Sequence, residues 1–109
     1  MDRAISYSDI LTRVVHEEGR LQPSLQPRLK IVSSCDQETG QFLLIIVGWD
    51  KDRWRHSILF HAQLINGKVL IEADNTEGLK PLLIEAGIRE EDFLSDRDYD
   101  QAEIARIAA

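Results

Sequence analysis

At 109 residues the chain can build one modest hydrophobic core and not two. Its 43% hydrophobic and 29% charged residues are those of an ordinary globular domain, and no window holds the roughly 18 apolar residues of a membrane span. The net charge of −6 is uneven, +1 over residues 1–35, −2 over 36–76 and −5 over 77–109, and shows no basic stripe of the kind that displaces phosphate counterions. Strong direct DNA binding is therefore disfavoured.

The N-terminus, Met1 to Tyr7, lacks the basic-then-apolar order of a signal peptide, and the single Cys35 has no partner for an internal disulfide. Both predict a cytoplasmic protein without membrane association. Tyr7, Ile10, Leu11, Val14 and Val15 recur at helical spacing, with Ser6 or Ser8 as N-cap and Gly19 as the stop. Pro23 and Pro27 keep the following linker extended. A strand begins at Leu29, and the polar stretch Asp36–Gln41 reads as a hairpin loop into the apolar strand Phe42–Trp49.

From Trp54 to Leu64 the period is two, which puts Trp54, Ile58, Phe60, Ala62 and Leu64 on one face. Asn66-Gly67 suits a two-residue type I′ turn, because both positions need positive φ. That turn sets Leu64 opposite Val69, Ala62 opposite Ile71, Phe60 opposite Ala73 and His61 opposite Glu72. Thr76 is placed to cap a helix carrying Leu79, Leu82, Leu83 and Ala86, with Pro81 in its first turn and Gly87 as C-terminal cap. Beyond Ser95 an acidic tail leads to a last helix over Gln101–Ile107. The expected fold is α+β: residues 1–109 as a single domain, an antiparallel meander of about four strands with helices on one face.

Candidate chemistry is sparse. His56 and His61, five apart on one strand, are expected on opposite faces and so form no metal site. His61 beside Glu72 resembles an oriented general base, yet no Ser or Cys nucleophile accompanies it, and an ordinary cross-strand contact is the stronger reading. Asp50 and Asp52 read as turn residues, and Glu72-Ala73-Asp74 lacks the Lys of a nuclease motif. No catalytic, cofactor-binding or metal-binding residue is predicted.

The Phe42–Val47 run is apolar on both faces, and one layer of helices covers only one. Taking Trp49 and Trp54 as sharing the helix-facing side, Leu43, Ile45 and Val47 point to the helices. Phe42, Leu44 and Ile46 then point outward near Leu59 and Leu70, among Arg55, His61, Gln63 and Glu72. These nine residues are the predicted interface; the alternative is that the tail or the linker covers them.

Gly48-Trp49, Arg53, His61, Asn66-Gly67-Lys68-Val69, Ile71, Asp74, Thr76-Glu77, Leu82, Gly87-Ile88, Asp92 and Leu94, in that order, resemble the XisI family of fdxN-element excision controlling factors. The resemblance runs from about Ile31 to Leu94, with the first helix fitting in position only. Leu70 and Glu72 stand where the family typically has an aromatic residue and Gln, and the acidic, Ala-rich end departs from the family's tail. The resemblance implies a non-enzymatic controlling factor in programmed excision of a DNA element, working beside a site-specific recombinase. It also implies an XisH-like companion; the negative charge predicts that DNA is reached indirectly through partners, and the apolar face would equally suit a homo-oligomer. The alternatives are a direct DNA-binding module using Arg3, Arg13, Arg20, Arg28 and Lys30, or an antitoxin-like inhibitor of a nuclease-fold companion acting through the acidic end.

Overall fold

Helix α1 (Tyr7–Leu21) precedes four strands, β1 (Leu29–Asp36), β2 (Gln41–Asp50), β3 (Arg53–Ile65) and β4 (Lys68–Asp74). A short helix α2 (Lys80–Ala86) and a 3₁₀ turn at Glu90–Asp92 follow, in a computed structural model that describes residues 6–21, 28–76 and 78–94. The strands form one antiparallel sheet in the order β1-β2-β3-β4, the expected α+β meander. The linker prolines, Arg3, the acidic tail and the helix expected over Gln101–Ile107 lie outside the described residues.

Ser6 caps α1, its Oγ accepting the Asp9 N–H at 3.1 Å. Ile10, Leu11, Val14 and Val15 then form one buried stripe against Phe42, Leu44, Phe60 and Ala62 of the sheet, with Leu79, Leu83 and Ile88 closing the same core. Gly19 does not end the helix, which continues to Leu21. A Cβ there would lie 3.1 Å from Leu44 Cδ2 and 3.5 Å from Ser33 Cβ, so the missing side chain lets the last turn approach the sheet. One turn earlier, His16 Nδ1 hydrogen-bonds Ser33 Oγ and fastens α1 to β1.

The β3–β4 turn has φ of 52° at Asn66 and 78° at Gly67, and the expected pairs Leu64↔Val69 and Ala62↔Ile71 are present. Beyond them the register slips. Phe60 faces Asp74 and His61 faces Ala73, because Glu72 is an extra residue in β4. A second slip, between β2 and β3, pairs Leu44 with Phe60 but Ile45 with Ile58, leaving Leu59 as the bulge. Asn75 secures that bulge: its backbone N–H donates to the Leu59 carbonyl at 2.7 Å and its side-chain amide to the Ile58 carbonyl at 3.1 Å.

Thr76 is not the α2 cap. Asp74 organises the entry, its Oδ1 accepting the Thr76 N–H at 3.0 Å and its Oδ2 the Leu79 N–H at 3.2 Å. At the other end Gly87 (φ 127°), the expected cap, donates to Ile84 O and Ile88 to Leu83 O, a Schellman closure that buries Ile88. The chain then returns along β4, where Leu94 N–H donates to Val69 O at 2.8 Å. Asp92 is the buried acid of this return. It accepts from the Tyr7 hydroxyl and, at 3.0 Å, from Lys68 Nζ, with Arg89 Nε 3.5 Å away, so one carboxylate joins α1, β4 and the 3₁₀ turn.

Candidate interaction surface

Strand alternation in β2 decides which sheet face is free. Phe42, Leu44 and Ile46 are buried (0%, 0% and 8% exposed) in the face that packs against the helices. Leu43, Ile45 and Val47 lie on the opposite face and are only partly covered. The predicted assignment is therefore inverted. Trp49 and Trp54 do share a face, as expected, since they pair across β2 and β3. That face is the outer one, where they are 39% and 58% exposed.

The Leu59 bulge explains the error. It reverses the phase of β3, so Trp54 and Ile58 face outward while Phe60, Ala62 and Leu64 face the helices, although all five are even-numbered. It also corrects the histidine argument. His56, opposite Val47, and His61, opposite Leu43, share the outer face. Four residues of strand, roughly 13 Å, still separate them. Among the described residues there is no cluster of metal-ligating side chains.

The other predicted residues are dispersed. Leu59 packs partly against the core from its bulge. Arg55 sits opposite Gly48, on the helix side of the sheet beyond the helices' reach, and pairs loosely with Asp50 at 3.8 Å. Gln63 and Leu70 face outward as expected but are buried (6% and 3% exposed). Gln63 Oε1 accepts from Gln41 Nε2 at 3.2 Å, and Gln41 Oε1 is 2.7 Å from His61 Nε2, a chain of polar contacts at that end of the face. His61 thus partners Gln41, and the bulge at Glu72 removes the imidazole–carboxylate pairing that a general base would use.

What remains open is an apolar row on the outer face: Val32 (41% exposed), Ile45, Ile58 (40% exposed), then Trp49 and Trp54. All five were missed as outward residues, Ile58 and Ile45 among them, and Trp49 and Trp54 close the row. The signal that could have found the last two is the run Ile58-Leu59-Phe60, three consecutive apolar residues inside an alternating strand, where the phase can switch. Of the basic residues proposed for DNA contact, Arg13 lies in the groove between α1 and α2 beside Glu17 and Glu85, while Lys30 is on the outer sheet face. Arg13 therefore lies apart from Lys30 and Arg28, which line one cleft.

Fold and surface together define a small α+β protein in which, among the described residues, helices bury one sheet face and leave the other open. The chain belongs to the XisI family, whose model, described as XisI protein, matches residues 1–99. The match takes in α1, which the residue pattern had aligned by position only. No curated protein sequence matches the chain. Two solved structures from Anabaena variabilis ATCC 29413 are similar. An XisI-like protein is 17% identical with a TM-score of 0.75 over 82% of each chain, which speaks for the fold alone. The fdxN element excision controlling factor XisI is 26% identical with a TM-score of 0.68, over 82% of this chain and 81% of its own.

Proposed function

We propose that this protein is a non-enzymatic controlling factor in the excision of a DNA element, and that it acts by docking a companion protein on the open face of its sheet. The observation carrying this reading is the row of Val32, partly covered Ile45 and Ile58 on the outer face, which no helix among the described residues covers. Exposed contiguous apolar surface of this kind is characteristic of interaction sites. Family membership and the likeness to an excision controlling factor support the excision role. An XisH-like companion is the proposed partner, with self-association through the same face as the competing occupant. Action in the cytoplasm belongs to the same proposal; among the described residues no helix is long and apolar enough to cross a membrane.

The test is co-expression with the neighbouring open reading frame and pull-down. Ile45→Asp and Ile58→Asp should abolish capture while the fold persists by circular dichroism. Leu82→Asp, at an exposed apolar position on α2, should leave capture intact. Capture that survives both sheet variants overturns the reading. Light scattering of the isolated protein separates the two occupants: a dimer broken by Ile58→Asp assigns the face to a second copy.

A further inference from the structure

We propose that the Trp49–Trp54 end of the sheet binds unpaired nucleotides of single-stranded nucleic acid, with bases stacking on the indoles and phosphates held by Arg28 and Lys30. This goes beyond the protein contact proposed above, which uses the middle of the same face.

Trp49 and Trp54 face each other across the last rungs of β2 and β3, their rings 5.5 Å apart at 78°. An edge-to-face pair does not stack upon itself. Trp54 stays 58% exposed, the most exposed of the large apolar side chains described. The exposed indole offers a broad flat apolar face on which another ring can stack.

Cations stand on both sides of it. A cleft of about 340 Å³ is lined by Arg28, Lys30, Val47, Gly48 and the two tryptophans, and the Arg28 guanidinium lies 5.5 Å from the Trp49 ring centre. Beyond Trp54 a smaller hollow of about 150 Å³ is walled by Asp50, Arg53 and Arg55. Lys30 shares the outer face with the tryptophans and Arg28 stands against Trp49, while Arg53 and Arg55 lie on the opposite face; with Lys51 these five cations meet Asp50 and Asp52 at this end of the sheet, a sum of +3 in a chain of net −6. The floor of the cleft is built for close approach. A Cβ at Gly48 would lie 2.1 Å from Arg28 O, and Trp49 N–H donates to that same carbonyl at 3.1 Å.

Exposed aromatic faces between cations are the physical requirement for sequence-tolerant binding of single strands. An acidic peptide would pair with the cations but offer no π-face to Trp54, and a duplex keeps its base faces inside its own stack. The unpaired nucleotide satisfies both halves of the site.

The probe is an oligothymidylate of about 15 nucleotides, long enough to span one site. It is titrated against the full chain and followed by tryptophan quenching and by anisotropy of a labelled strand. Duplex of equal length and polyglutamate serve as competitors. Binding should quench the indoles, and Trp54→Ala should weaken it at least about fivefold, the effect of losing one stacked base, with Trp54→Phe restoring most of it. Neutralising Arg28 and Lys30 together (both to Gln) should flatten the salt dependence of log affinity by about 1.4. Val32→Ser, which removes an apolar side chain from the docking row without adding charge near the phosphates, should weaken companion capture and leave oligonucleotide binding unchanged, so failure of the docking proposal is read separately. Equal affinity for duplex, displacement by polyglutamate at matched charge, or no effect of Trp54→Ala would each overturn the inference.

Discussion

The assignment of β2's two faces makes an unequal demand on neighbouring residues. Leu44 has 0% of its surface exposed and its Cδ2 lies against the last turn of α1 at Gly19, whereas adjacent Leu43 faces outward opposite His61 and is partly open. Leu44→Ala should remove about 3–4 kcal/mol, the transfer loss plus a cavity that the tightly apposed helix and sheet cannot close. Leu43→Ala should remove about 1 kcal/mol, since water already reaches that side chain. At roughly 4–8 °C per kcal/mol for a domain near this size, the melting temperatures should differ by about 10 °C or more. Urea titration followed by circular dichroism gives both values, provided m is unchanged between variants. Equal losses, or a larger one at Leu43, would refute the face assignment and return Leu44 to the outer surface.

The remaining predictions concern the clasp and the turns. The Tyr7 hydroxyl, then the Lys68 ammonium, hold the Asp92 carboxyl down from 3.8 to about 2, so its stabilising contribution is complete above pH about 4 and is lost as pH falls toward 2. Asp92→Asn should lower stability at neutral pH and flatten its decline between pH 4 and 2, measured by urea midpoints across that range. Lys51 holds φ at 64° in the β2–β3 turn, a region disfavoured for side chains, so Lys51→Gly should raise stability by up to about 1 kcal/mol in the same assay. Gly48→Ala should cost roughly 2–4 kcal/mol, because its Cβ would strike the Arg28 carbonyl, and should shift the tryptophan emission as the cleft is forced apart.

The meander was legible because each of its signals is local. Asn66-Gly67 forces a particular turn, Asp36–Gln41 lacks apolar residues, and the α1 stripe repeats at 3.6. The candidate surface was not legible, because alternation reports which residues share a face and not which face is covered. A bulge of one residue reverses everything beyond it. Leu59 and Glu72 are such residues, and neither is a Gly or Pro that would announce itself. The Asp92 clasp joins residues 85 positions apart, so no window of sequence contains it.

The residues that carry the family resemblance divide sharply by what they touch. Gly48 permits a backbone approach, Asp74 and Thr76 shape the entry to α2, Gly87 and Ile88 close it, and Lys68 and Asp92 tie β4 to the returning chain. Each does a job inside the fold, and replacing it would first change stability. Of the open outer row, Trp49 belongs to the motif, whereas Val32, Ile45, Ile58 and Trp54 do not. The resemblance therefore marks chiefly an architecture, and the proposed docking row of Val32, Ile45 and Ile58 lies outside the motif. Two members of such a family can share the meander and its clasp while their open faces recognise different surfaces. Transplanting Val32, Ile45 and Ile58 between members should move partner preference without moving the melting temperature by more than about 0.5 kcal/mol equivalent per exposed substitution.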